Sequence, residues 1–181
     1  MKHIEVLIYE DNQDMRDGLA QLINRTEGLA LSGAFADCMA AEAQVKKLQP
    51  DVILMDIDLP GITGIQAVQL IRHFDINVQI LMLTVFDTNE KIFDALCAGA
   101  SGYILKNDPP HKYLEAINEV YSGGAPISAS VAKKMLGFFS NKNVILTTPG
   151  QTDYHLTDRE KELLKLMVEG NNYRTLLKNH L

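Results

Sequence analysis

Five short apolar runs, each followed by a stretch of helical spacing, limit what this chain can fold into more than any other feature. Four of them, Ile4–Tyr9, Val52–Met55, Val78–Leu83 and Gly102–Leu105, are continuous rather than alternating. A strand covered on one face alternates apolar and polar residues. A continuous run suits a strand covered on both faces, as in a parallel sheet. Leu29–Phe35 is a weaker fifth run.

The intervening segments read as helices. Met15, Leu19, Leu22 and Ile23 form one apolar face after the turn-like Asp11-Asn12. Ala40, Ala43 and Leu48 mark a second helix, with Asp37 as its expected N-cap and Pro50 closing it. Ile65, Val68 and Ile71 mark a third, and Ile92, Ala95 and Leu96 a fourth that ends near Gly99. Tyr113, Leu114, Ile117 and Val120 mark a fifth, opened by Pro109-Pro110 and closed by Gly123-Gly124. Strand and helix thus alternate five times within residues 1–124. That order predicts an α/β fold: a doubly wound five-stranded parallel sheet with helices on both faces and right-handed crossovers.

Charge is unevenly spread. Residues 1–124 carry 9 Lys/Arg against 18 Asp/Glu, residues 125–150 carry three lysines and no acid, and residues 151–181 carry five of each sign. No segment has the basic excess of a nucleic-acid footprint. No apolar run is long enough to span a bilayer, and no signal-peptide core precedes Tyr9. Cys38 and Cys97 show neither pairing nor metal spacing, and their alanine-rich surroundings predict buried free thiols in a reducing cytoplasm.

In an open parallel sheet, ligands sit beyond the C-terminal ends of the strands. The polar residues there are Glu10 and Asp11 after the first strand, Asp56 after the third, Thr84 near the end of the fourth and Lys106 after the fifth. Three converging carboxylates repel one another; a hard divalent cation relieves this, and oxygen ligands favour Mg²⁺. A lysine beside them attracts a dianionic phosphoryl group, which a hydroxyl such as that of Thr84 can also contact. A carboxylate in that setting is a competent nucleophile, forming an aspartyl phosphate. Taken singly, each residue has a plainer reading. Asp56 would serve as a loop acid or helix cap, Thr84 as an ordinary strand residue, and Lys106 as a solvated charge. No Gly-rich nucleotide loop occurs, and the five histidines show no metal spacing.

Three stretches carry a resemblance: Val6-Leu7-Ile8-Tyr9-Glu10-Asp11-Asn12, the run from Pro50 to Gly64 around Asp56-Ile57-Asp58, and Gly99-Ala100-Ser101-Gly102-Tyr103-Ile104-Leu105-Lys106. They resemble bacterial two-component response regulators over about residues 2–124. The resemblance implies a flavodoxin-like receiver of strand order 2-1-3-4-5. It implies Asp56 as phosphoacceptor and Mg²⁺ bound by Glu10 (mainly through water), Asp11, Asp56 and the backbone carbonyl of Asp58. It also implies Thr84 as the switch hydroxyl, Tyr103 as the aromatic that turns inward in response, and Lys106 as the phosphoryl contact. Val85 stands where the family often has alanine, and Phe86 is placed to shield the phosphoryl group from water, which predicts a long-lived phosphorylated state.

After Gly124 the texture changes. Ser128–Phe139 reads as an amphipathic helix, and residues 140–153 as a linker rich in Asn, Thr, Gly and Pro. Leu156-Thr157-Asp158-Arg159-Glu160 opens a last helix, with Thr157 and Glu160 spaced as a capping box. The stretch from Leu156 to Gly170 resembles the start of a LuxR-type helix-turn-helix domain, which points to the subfamily that also includes NarL. The expected organisation is therefore a receiver over 1–124, a helix and linker over 125–155, and a partial helix-turn-helix segment over 156–181. Only 26 residues run from Leu156 to Leu181. So short a piece cannot bury its own core or hold a recognition helix in a groove. Specific DNA binding is expected of intact relatives and not of this chain.

The function these residues imply is that of a cytoplasmic, non-enzymatic phosphoacceptor. It would take its phosphoryl group from a sensor histidine kinase, pair with a second copy as one option, and touch no membrane. Two other readings compete. An aspartyl-phosphate phosphohydrolase would use the same acids, but the hydrolase motif context and a substrate-capping insertion are missing. An interaction module independent of phosphorylation would not need Asp56 at all.

Overall fold

The computed structural model describes residues 3–85, 89–128 and 131–133 (backbone only at 89 and 90). The expectations for Phe86, for most of the helix proposed at 128–139, for the linker and for residues 156–181 lie outside the described residues.

The described elements run β1 Ile4–Tyr9, α1 Gln13–Asn24, β2 Leu29–Phe35, α2 Ala41–Leu48, β3 Val52–Asp56, α3 Gly64–Arg72, β4 Gln79–Thr84, α4 Asn89–Cys97, β5 Gly102–Leu105 and α5 Pro110–Tyr121. The sheet is five-stranded, in the order β2-β1-β3-β4-β5, and every pairing is parallel. This is the doubly wound flavodoxin-like arrangement.

The continuous runs are explained by how side chains alternate across the sheet. Val6, Ile8, Val52, Leu54, Leu81, Leu83 and Ile104 face one core, which is completed by Leu19 and Ile23 of α1 and by Tyr113, Ile117 and Val120 of α5. Leu7, Tyr9, Ile53, Met55, Ile80, Met82 and Tyr103 face the other, completed by Val45 of α2, Val68 and Ile71 of α3 and Ile92 of α4. Val52, Ile53, Leu54 and Met55 are all 0% exposed. Burying four such side chains stabilises the fold by roughly 6–12 kcal/mol, an upper bound because the unfolded chain already hides some apolar area. By comparison, two carboxylates about 5 Å apart repel by about 3 kcal/mol at an effective dielectric of about 20. The strand can therefore carry a charged end.

Three local expectations are corrected. Asp56 is the last residue of β3 and not a position beyond it, while Thr84 closes β4 as expected. Asp37 does not cap α2: its Oδ1 accepts from the Met39 N–H at 2.9 Å, while the cap residue is Ala40, without a side-chain bond. An Asx turn has taken the oxygen that a cap would need. Cys38 is buried as expected, but Cys97 is exposed. On α4 the inward face is set by Ile92 and Ala95, both 0% exposed, and Cys97 projects away from it.

The packed body continues past Gly124. The Tyr103 N–H donates to the Pro126 carbonyl at 2.9 Å, and Tyr103 and Ile127 form a parallel bridge. Val131 is 0% exposed, in the same core as Tyr103.

Candidate functional site

The site lies where β1, β3, β4 and β5 end. Glu10 follows β1 directly and is held by its own N–H, which donates to the Phe35 carbonyl at 3.0 Å. Asn12 then caps α1, its Oδ1 accepting from the Met15 N–H at 2.9 Å. Arg16, one turn into α1, donates from Nη1 to the carbonyls of Glu10 (2.7 Å) and Asp11 (3.0 Å). The acidic loop is thus braced from below by an arginine that sequence spacing did not single out.

Glu10 is fully buried, Asp56 is 4% exposed, and Asp11 is open to solvent. Each offers a carboxylate oxygen, and these atoms lie within 4.8 Å of one another. Lys106 reaches in from the end of β5, its N–H fixed to the Thr84 carbonyl at 2.7 Å. Its Nζ lies 2.6 Å from Glu10 Oε2 and 3.0 Å from Asp56 Oδ2, and donates to Glu10 Oε1 at 2.7 Å. The ammonium therefore partly neutralises both buried acids. Glu10 Oε2, although buried, meets the Lys106 ammonium at 2.6 Å as an ion pair and has no further hydrogen-bond partner among the described residues. A buried carboxylate oxygen with an unused lone pair suits a further cationic ligand. The donor set, all hard oxygen with one open side at Asp11, fits a Mg²⁺ ion.

Burial raises the Glu10 carboxyl above its ordinary range, and the Lys106 contacts only partly pull it back. For Lys106, burial disfavours the charge, yet the bonds to Glu10 and Asp56 outweigh it and raise the ammonium's pKa. The lysine is held as a cation.

Asp56 Oδ1 accepts from the Ile57 N–H at 2.8 Å, which orients the carboxylate. The loop after β3 is pressed onto this point by Gly64. Its N–H donates to the Ile57 carbonyl at 2.9 Å, and a Cβ built there would fall 1.9 Å from the Asp56 carbonyl oxygen. Only glycine permits that approach. Thr63 then starts α3 with a full capping box to Gln66. Asp58 is exposed and its carboxylate is taken by Lys91 of α4, 2.6 Å away. That tie across the pocket's rim joins residues 33 apart and left no trace in local sequence pattern.

Thr84 is 1% exposed, and Tyr103, at 1%, is turned fully inward. Burial drives the Tyr103 hydroxyl up to about 12; a hydrogen bond with Thr84 opposes this, and the charges of Asp58 and Asp56 add to it. All seven residues singled out by sequence therefore lie around one pocket. Val85, next to Thr84, is 63% exposed.

The sheet order and the cluster of charge at its strand ends are those of a receiver-type signalling domain. The profile of the response regulator receiver domain matches residues 6–118. The oxygen regulatory protein NreC of Staphylococcus aureus is 32% identical over 169 residues, covering 92% of this chain and 78% of NreC. Among solved structures, a LuxR-family two-component response regulator from Aurantimonas sp. SI85-9A1 matches with a TM-score of 0.72 and 29% identity, over 77% of this chain and 99% of that one. The response regulator ChrA of a heme-sensing two-component system matches with a TM-score of 0.64 and 26% identity, over 99% and 82%. The chain belongs to the response regulator receiver family, in its NarL/LuxR subfamily. No helix among the described residues is long and apolar enough to cross a membrane.

Proposed function

We propose that Asp56 accepts a phosphoryl group from the phosphohistidine of a sensor kinase. The observation that carries this is the ammonium of Lys106 set 3.0 Å from Asp56 and 2.6 Å from Glu10, with Asp11 alongside. An Asp56 carboxylate oxygen forms the new O–P bond as the P–N bond to the kinase histidine breaks, and the imidazole leaves with the electron pair. Lys106 holds the phosphoryl oxygens by charge, and the Thr84 hydroxyl donates to one of them. Glu10, Asp11, Asp56 and the Asp58 carbonyl would hold Mg²⁺, which supplies further positive charge for those oxygens. Tyr103 follows Thr84 through their hydrogen bond, so the state of the pocket reaches β5.

The setting is the cytoplasm, and the partners are the kinase and, as one option, a second copy of the chain. In this reading the domains divide into a receiver over 1–124, a helix and linker over 125–155 and a partial LuxR-type helix-turn-helix segment over 156–181. Transcription control is the expected use in intact relatives. The test is phosphorylation by acetyl phosphate with Mg²⁺, read by intact mass. The wild type should gain one phosphoryl group and Asp56→Asn none. Phosphorylation of Asp56→Asn at the wild-type rate would refute the assignment. A wild type that takes no phosphoryl group would favour a phosphorylation-independent interaction module.

A further inference from the structure

Strand β5 is an edge strand of four residues, yet its outer side is occupied. The Tyr103 N–H donates to the Pro126 carbonyl at 2.9 Å, and Ile127 pairs with Tyr103 as a parallel bridge. The contact is close. A Cβ on Gly102 would lie 2.8 Å from the Pro126 carbonyl oxygen and 2.9 Å from its Cγ. Beyond the bridge, the Ser128 Oγ accepts from the Val131 N–H at 3.3 Å, and its carbonyl from the Ala132 N–H at 2.9 Å. Val131, 0% exposed, sits in the core that holds Tyr103, Met82 and Ile92.

Tyr103 is thus held from two sides. Its hydroxyl side meets Thr84 at the pocket, and its backbone and ring meet the segment after α5. An aromatic ring buries on the order of 150–250 Å². Turning this one outward would strip that area from the core Val131 shares and disturb the bridge to Ile127.

We propose that residues 125–128 with Val131 form a strap that reads the position of Tyr103 and passes the state of the pocket to the chain beyond. The inward ring and the docked strap favour each other. A phosphoryl group that holds Thr84 and Tyr103 inward tightens the strap, and by reciprocity a loosened strap weakens the phosphorylated state. The inference rests on the phosphoacceptor reading of Asp56.

The test is residue-resolved amide hydrogen exchange on the full chain, with Mg²⁺ alone and with Mg²⁺ plus beryllofluoride as phosphoryl mimic. The amides of Tyr103, Ile127 and Val131 should slow together by at least about fivefold, the lower end of ordinary coupling between sites. Amides of β1, such as Leu7, serve as the unmoved reference. Val131→Ala, and separately Ile127→Ala, should each weaken beryllofluoride binding by about the same factor, because the coupling is mutual. Should Val131→Ala fail to fold, the half-buried Ile127 carries the test. Beryllofluoride that perturbs the amides of Asp11 and Ile57 but leaves Tyr103, Ile127 and Val131 unmoved would overturn the strap alone. Unchanged affinity in the folded variants would do the same. No response anywhere would overturn the phosphoacceptor reading and the strap with it.

Discussion

Lys106→Met removes the one cation seen between two buried acids among the described residues, and its cost follows from the geometry. The Lys106 side chain is 12% exposed and that of Glu10 0%, so the pair lies near the buried limit. Breaking a buried pair by deleting one partner costs about 3–5 kcal/mol. The pocket opens to solvent at Asp11, which places the expected loss at the lower end, about 3 kcal/mol. For a chain of this length that lowers Tm by roughly 6–12 °C. The loss should depend on pH, with a sign set by Glu10. Burial raises its carboxyl above the ordinary 4.5 even with Lys106 present. The folded state thus holds that proton more tightly than the unfolded chain, so its contribution to stability is present below 4.5 and lost as pH rises through the folded value. Without the ammonium the folded value climbs further and the loss extends to higher pH. The variant's deficit should therefore be smaller at pH 5 than at pH 8. Lys106 acts in the other window: its own raised pKa stabilises below 10.5 and is lost only above that. Urea unfolding at the two pH values, without divalent metal, measures this. A deficit below about 1 kcal/mol at pH 8, or one equal at both pH values, would refute the coupling of Lys106 to Glu10.

Further outcomes are expected elsewhere. Gly64→Ala should cost about 3 kcal/mol or more in urea unfolding, because the Cβ meets backbone that cannot yield cheaply; a loss under about 0.5 kcal/mol would show that the loop does not press on Asp56. A double-mutant cycle of Lys91→Met and Asp58→Asn should give a coupling of about 0.2–1 kcal/mol that fades in high salt, since both side chains are substantially exposed; a salt-independent coupling above about 2 kcal/mol would contradict that exposure. In the native protein at pH 8 a thiol reagent should modify Cys97 quickly and Cys38 only on unfolding, because burial in the folded state pushes the Cys38 thiol up to about 11. Equal rates for both would count against the packing of α2.

What sequence revealed and what it hid follow one physical division. Ile4–Tyr9 and Gly102–Leu105 were legible to the residue, because burial on both faces leaves a continuous apolar run. Glu10, Asp11, Asp56, Thr84 and Lys106 were legible as neighbours because a parallel sheet gathers its strand ends, whereas Asp58 and Tyr103 came only from the family resemblance. Pattern failed where one side chain had two local uses. Asp37 could cap α2 or turn onto Met39, and composition cannot choose between them. It failed for Cys97 because alanine-rich surroundings average over a helix whose two sides differ. Contacts between distant residues, Lys91 with Asp58 and Pro126 with Tyr103, follow from tertiary placement and leave no local signal.

Pro126 also bears on how this domain guards the edge of its sheet. A short parallel sheet has two outer strands, and bare ones invite pairing with another chain. At the β5 side the first added residue is a proline, which accepts from Tyr103 but has no N–H to offer outward. A chain cut after Gly124 would lose this cover and bare the Tyr103 amide. Such a fragment is expected to self-associate, and one kept through Val131 to remain monodisperse at the same concentration.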